Sequence, residues 1–235
     1  MTSQKLPFTN FMDKTEHKLA MIYTTAHVFL IPLIITLYAF FIGTEEMEPF
    51  LLTAITYALG MLFALLCMRR FLRLSFDHML NLKLRTLSTL LMAQFLFALL
   101  FQAYTIGMIL FGEAEITLPE FGVDSIRQNF SALFALNVFV EPVVEELLHR
   151  GLIFGSLRMR NRTAAYIVSV AFELLSASWL ELAFGSRQMG IAIALQYLPG
   201  SIVYSWCYEH SSSIWVPIMF RGFINAVILF VIAIA

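Results

Sequence analysis

The sequence predicts an all-α protein, a polytopic membrane helix bundle of about seven transmembrane helices. Three observations predict it. Of the 235 residues 60% are hydrophobic, with 23 Phe, and the mean hydropathy is +0.80. Only 13% are charged, about half the usual share of a globular chain. Apolar runs of spanning length, about 20 residues each, recur at 19–43, 49–68, 87–112, 130–157, 164–184, 189–208 and 213–235. The net charge of −1 is uninformative as a total, but the distribution shows no basic surface large enough for nucleic acid, and the expected surroundings are membrane lipids.

Taken in order, the first run follows Lys5, Lys14 and Lys18 and holds His27, read as a satisfied intramembrane polar group. It is too long for a signal peptide and has no small-residue cleavage site behind it. After the second run, Phe71–Leu84 mixes apolar and basic residues at roughly helical spacing. It reads either as an amphipathic helix in the cytoplasmic headgroup region or as a solvated connecting loop. The third and fourth runs are long enough to tilt. Pro199-Gly200 is expected to break the sixth, and Arg221 lies inside the seventh. His78 and His210 are expected in loops. Cys67 and Cys207 fall in apolar runs and read as small buried hydrophobes.

Positive charge orients the bundle. With alternating spans, twelve of the fifteen Lys and Arg fall on one side: Lys5, Lys14, Lys18, Arg69, Arg70, Arg73, Lys83, Arg85, Arg150, Arg158, Arg160 and Arg162. The opposite loops hold Glu45, Glu46, Glu48, Glu113, Glu115, Glu120 and Asp124, with Arg127 and Arg187 the only cations. The N-terminus is therefore expected in the cytoplasm and the C-terminus outside, with a bacterial plasma membrane as the setting.

The fourth run carries the chemistry. Glu141-Pro142-Val143-Val144-Glu145-Glu146-Leu147-Leu148-His149-Arg150-Gly151 puts three carboxylates, an imidazole and a guanidinium where hydrocarbon penalises charge. Glu141 and Glu145 stand one turn apart on one face, and Glu146 faces Arg150 at i, i+4. Pro142 leaves the carbonyl four residues back without its N–H, so a bend is expected there. Adjacent carboxylates diverge by about 100° around a helix, so Glu145 and Glu146 need not share a role. Glu146 with Arg150 reads as a structural ion pair, with Arg150 reaching the headgroups. Glu145 is left to face the bundle interior, where a desolvated carboxylate can act as base or acid.

The run EPVVEELLHRGLIFGSL resembles the first motif of the CPBP family, which comprises type II CAAX prenyl proteases and bacteriocin-processing (Abi) proteins. The family pattern Glu-Glu-x-x-x-Arg-Gly finds Glu145, Glu146, Arg150 and Gly151. The tail SSSIWVPIMFRGFINAVI is similar to the last motif, with Trp215, Pro217 and Asn225 matching. The likeness covers roughly 130–230. It divides the chain into N-terminal helices with the amphipathic cytoplasmic segment (1–129) and a CPBP-like core (130–235). It implies an intramembrane glutamic protease in which Glu145, Glu146, Arg150 and Asn225 are the catalytic set, a family sometimes described as metal-dependent.

Two departures stand beside that match. The last motif has Arg221 where the family has histidine. The middle motif, Phe-x-x-x-His, finds none in AFELLSASWLELAF, where the best register gives Leu174 and Ser178, with Trp179 competing. Guanidinium donates only and repels a cation, and no histidines have ligand spacing such as His-x-x-x-His, so no metal or other cofactor is expected. Arg221 is expected to pair with Glu145, possibly through two bonds in a charge-assisted fork, and Asn225 to bond the same group. Glu173 and Glu181, with Ala177 between them, share a face of the fifth run. A polar pocket of Glu141, Glu145, Glu173, Ser178, Arg221 and Asn225 follows, whose bland counterpart is an interhelical clamp. Ser178 reads as a packing residue and His149 as an interfacial histidine near the headgroups.

Three functions are compatible with these residues. The first is a catalytically degenerate CPBP protein that binds a membrane peptide, a prenylated peptide or a membrane protein partner. The second is an active intramembrane endopeptidase with Glu145 activating water. The third, a proton- or ion-coupled transporter, lacks inverted repeats.

Overall fold

The computed structural model describes residues 8–42, 49–110 and 129–234, and every regular element among them is helical. Of the charges placed in loops, Glu45, Glu46, Glu48, Glu113, Glu115, Glu120, Asp124 and Arg127 lie outside the described residues, as does Lys5.

Helix α1 (residues 14–42) starts at Asp13, whose carboxylate accepts from the backbone N–H groups of Thr15 and Glu16 at 2.8 Å each. Glu16 returns the bond to Asp13 N at 3.0 Å, closing a capping box. The backbone N–H of Glu16 is the chief reason that the Asp13 carboxyl sits below its ordinary pKa. The other oxygen of Glu16 accepts from Phe71 N at 2.8 Å. Phe71 lies in the first turn of the next short helix, whose own N-cap residue, Met68, supplies no side-chain bond. One carboxylate thus caps two helices.

Helix α2 is Pro49–Cys67 and α3 is Arg69–Asn81. The two meet at 80°. The segment read as either amphipathic helix or loop is therefore helical from Arg69 to Asn81, with Leu74, Phe76 and Leu80 left exposed. Phe71, Leu72 and Ser75 are buried in the main core. His78 lies in this helix, and His210 in α7 (Arg187–Ser211), so neither is a loop residue.

Helices α4 (Lys83–Leu110), α5 (residues 130–158), α6 (Arg162–Phe184), α7 and α8 (Trp215–Ile234) complete the bundle. Lys14–Tyr38, α4, α6 and α8 are each long and apolar enough to cross a membrane, and the bent pair α2–α3 makes a fifth candidate. Side chains such as Ile34, Phe41, Leu66, Phe95, Ile106 and Ile234 are exposed over the described surface, as expected where lipid is the solvent. The chain is thus a polytopic helical membrane protein. The number seven is not fixed, because α5 and α7 carry too much polarity to qualify by composition.

Two prolines shape the site. In α1 a π-helical turn, Ala26–Leu30, ends just before Ile31-Pro32; in α5 the turn Leu136–Val140 ends just before Glu141-Pro142. Proline has no N–H and its ring crowds the carbonyl four residues back; a wider turn relieves both problems. The released carbonyls are then used by other helices. Val28 O accepts from Trp179 Nε1 at 2.9 Å. Val138 O is approached by Gly222 of α8, where a Cβ would come within 2.5 Å. Asn225 reaches Asn137 O at 2.8 Å. Pro199, by contrast, does not break its helix: α7 runs through it from Arg187 to Ser211.

The core lies around α5. Val143, Val144, Leu147, Leu148 and Leu152 are buried against Ala64 of α2, Met68 between α2 and α3, Phe71 of α3, Tyr208 of α7 and Ile214. Gly60 of α2 lets Val144 come so close that a Cβ would be 2.6 Å from Cγ1. The serine run that joins α7 to α8 is buried too, with Ser212 at φ 55°. Ser75 and Ser213 hold it, through Ile214 N to Ser75 Oγ and Ser213 Oγ to Ser75 O, both 2.8 Å.

Candidate active site

A third π-helical stretch, Leu147–Phe154, follows Glu146 and carries His149 and Arg150. Spacing at i, i+4 sorts the four polar residues into two pairs on different faces. Glu146 and Arg150 turn into the bundle, while Glu145 and His149 turn toward a cavity between α1, α2, α5 and α6.

The inward pair belongs to a lattice of four charges. Arg150 Nε stands 3.4 Å from Glu146 Oε2. Its Nη2 donates to Glu173, to Ser201 O at 2.8 Å and to Ser201 Oγ at 3.4 Å. Arg221 of α8 donates from Nη1 to Glu146 Oε1 at 2.7 Å and from Nη2 to Glu173 Oε1 at 2.9 Å. Two carboxylates and two guanidiniums alternate, so the group is neutral, and all four residues are at most 3% exposed. Both guanidinium carbons also lie over the Tyr204 ring, at 5.2 and 5.0 Å from its centre.

This arrangement corrects several expectations. Arg150 does not reach the headgroups; it is fully buried, because two carboxylates and a backbone carbonyl await it inside. Arg221 does not fork onto Glu145, whose nearest oxygen is 4.0 Å from Nη1. Its two terminal nitrogens are engaged by Glu146 and Glu173. Asn225 bonds neither; its amide is turned to the carbonyl that the π-turn exposes at Asn137.

The outward pair faces a cavity of about 510 Å³, within the range of small-molecule and peptide side-chain sites. Its walls include Glu141, Glu145, His149, Glu173, Ser176 and Arg221, with His27 and Tyr57 contributed by α1 and α2. Glu145, 15% exposed, accepts from Tyr57 OH at 3.0 Å through Oε1. His149 Nδ1 is 3.1 Å from its Oε2 and 2.9 Å from its backbone O. His27 Nε2 is 3.8 Å from Oε1, and its Nδ1 is 3.3 Å from Tyr23 OH. His149 is thus no interfacial residue: it is 1% exposed, and its partner on the helix is Glu145, not Glu146.

On α6, Glu173, Ala177 and Glu181 face the cavity together, as their spacing predicts. Ser178 does not. It is buried and donates to Leu174 O at 2.7 Å. Ser176 takes its place on the wall, with Oγ 3.0 Å from His149 Nε2. The sequence held a signal for this. Counting Phe-x-x-x-His from Phe172 reaches Ser176, and the Phe172 ring lies against His149 with centres 5.5 Å apart. Tyr57 had no comparable signal, since it sits alone in an apolar run.

A divalent metal does not fit these residues. The Arg221 guanidinium occupies the space between Glu146 and Glu173 and stands near Glu145, so a second cation there would meet a fixed positive charge. Among the described residues no three His, Cys, Asp or Glu side chains converge as ligands.

The fold and cavity define a class: a polytopic helical membrane protein with a polar, carboxylate-bearing site enclosed between its helices. Residues 127–227 match the family model described as type II CAAX prenyl endopeptidase Rce1-like, the family whose motifs the sequence resembles. No curated protein and no solved structure matches the chain.

Proposed function

We propose that this chain is an integral membrane hydrolase of the peptidase type, whose working acid–base pair is Glu145 with His149. The observation that carries the reading is His149 Nδ1 at 3.1 Å from Glu145 Oε2 in the wall of a 510 Å³ cavity. A catalytic base must lie within hydrogen-bond reach of the group that it serves and be held in one orientation. Glu145 holds His149 at Nδ1, which leaves Nε2 to take a proton on the cavity side. At the end of the cycle the same nitrogen returns a proton to the leaving amine, and water supplies the hydroxyl of the released acid. The substrate is a membrane-embedded or prenylated peptide admitted between the helices.

A degenerate, binding-only protein is the second reading, and Arg221 in the place of a family histidine favours it. Two things weigh against it. Arg221 is spent on Glu146 and Glu173, so Glu145 keeps its lone pairs toward the cavity. Imidazole is also present beside Glu145, from His149 and His27. The lysines and arginines near Lys14, Arg69 and Arg158 support a cytoplasmic N-terminus, and a bacterial plasma membrane remains the proposed setting.

The test is to reconstitute the protein in liposomes with a mixed library of prenylated and transmembrane peptides and to read products by mass spectrometry. Cleavage by the wild type, lost in both Glu145→Ala and His149→Ala, is the expected result. Intact peptides after incubation with folded wild type would overturn the hydrolase reading and leave the binding scaffold.

A further inference from the structure

The two nitrogens of His149 have different company. Nδ1 faces the Glu145 backbone O at 2.9 Å and carboxylate Oε2 at 3.1 Å, both acceptors. A neutral ring therefore carries its hydrogen on Nδ1 and presents a lone pair at Nε2. What Nε2 meets is the Ser176 hydroxyl, at 3.0 Å. Ser176 Oγ also has Glu173 O at 2.9 Å, another acceptor, so its single hydrogen is shared between an amide carbonyl and an imidazole lone pair. α6 fixes this geometry twice, because Ser169 donates to His149 O at 3.2 Å two turns before Ser176.

Hydroxyl, imidazole and carboxylate stand in series, each within hydrogen-bond reach of the next, and all three line the cavity. That is how a serine is made nucleophilic. The role is specific to Ser176: Ser178 is buried and turned back onto its own helix. We infer that Ser176 is the nucleophile of a Ser176–His149–Glu145 triad that acts on the ester or amide carbonyl of a membrane-embedded substrate, an inference that rests on the hydrolase reading above.

The steps balance as follows. Ser176 Oγ bonds to the carbonyl carbon while its proton passes to His149 Nε2 and the carbonyl electron pair moves onto oxygen. The carbonyl re-forms, the bond to the leaving amine or alcohol breaks, and Nε2 gives that group its proton, leaving an acyl ester on Ser176. A water then adds to the ester carbon, with its proton taken by Nε2. Collapse breaks the Ser176 ester bond, returns the proton to Oγ and releases the acid. The sum is substrate plus water giving acid plus amine or alcohol. Glu145 is the positioning residue, holding the ring and stabilising it while it carries the extra proton.

The intact protein in liposomes is treated with a biotin-tagged fluorophosphonate, and the adduct is located by mass spectrometry. Labelling is expected on Ser176, unchanged in Ser178→Ala and lost in Ser176→Ala. It is expected to slow by about 10²-fold or more in His149→Gln. Glu145→Gln is expected to lower kcat for a cleaved peptide with KM unchanged, which a packing defect would not do. Should Ser176→Ala fail to fold, Ser176→Cys is the second handle: its alkylation by iodoacetamide is expected to slow when His149→Gln is added. A folded wild type that takes no label, under conditions that label a control serine hydrolase, overturns the triad. Cleavage that survives Ser176→Ala but not His149→Ala also overturns it, while leaving the acid–base pair intact with water attacking directly. Absence of both label and cleavage sinks the two together.

Discussion

Glu145 shows 15% of its side chain to a cavity and meets an imidazole and a phenol. Glu146, the next residue, shows none of its side chain and is bonded by a guanidinium. The 100° between successive helical residues produces this contrast, and it separates two tasks that hydrocarbon sets. Charges buried for stability need opposite charges beside them, and the Glu146–Arg150–Glu173–Arg221 lattice supplies donors to both carboxylates. A charge kept for chemistry needs a partner with capacity left over, and His149 beside Glu145 has a second nitrogen that meets a hydroxyl and can take its proton. The lattice also turns the Arg221 donors onto Glu146 and Glu173, leaving Glu145 at 4.0 Å without a direct bond from it.

Substitutions can break that contrast from either side. The largest expected effect is on the cavity side: His149→Ala should cut peptide cleavage by about 10²–10⁴-fold per folded molecule, followed by mass spectrometry of products. Next comes the lattice. Glu146→Ala leaves guanidinium charge buried without its carboxylate and should cost roughly 3–5 kcal/mol, read as unfolding at lower denaturant in mixed micelles. Replacing Arg150 and Glu173 together, by Met and Leu, should recover much of the loss seen in Arg150→Met alone. A double-mutant cycle measures that recovery, and a purely additive result would mean that the two do not interact.

Smaller effects sharpen the account. Tyr57→Phe removes one donor from Glu145 and should slow cleavage by about tenfold or less, the equivalent of one hydrogen bond of roughly 1 kcal/mol. Trp179→Phe strips the partner from Val28 O and should cost about 1 kcal/mol, read as unfolding at slightly lower denaturant.

Much of this molecule could be read from the sequence, and the rest could not for identifiable reasons. Helical runs, the pairing of Glu146 with Arg150 and the shared face of Glu173, Ala177 and Glu181 all follow from periodicity and composition. Periodicity names a face but not the neighbour opposite it. Arg150 near a helix end looked free to reach the headgroups, because nothing local reveals that Glu173 and Ser201 wait inside. For the same reason Arg221 was matched to Glu145, which it meets only at 4.0 Å, and not to Glu146 and Glu173, which it bonds. Asn225 and Trp179 answer carbonyls exposed by π-turns, and those turns are visible beforehand only as the prolines that follow them. Pro199 shows that a proline alone does not decide the matter, since α7 continues through it. The serine that faces His149 was missed by register: Phe172, not Leu174, starts the pattern on α6.

The most direct test of the division of labour measures cleavage and unfolding side by side in Glu145→Gln and Glu146→Gln, both reconstituted as the wild type is. The account predicts crossed results: Glu145→Gln loses cleavage and unfolds as the wild type does, while Glu146→Gln unfolds more readily and its folded fraction still cleaves. If both substitutions weakened the fold alike, or if Glu145→Gln cleaved at the wild-type rate, the assignment of chemistry to one carboxylate and stability to its neighbour would be contradicted.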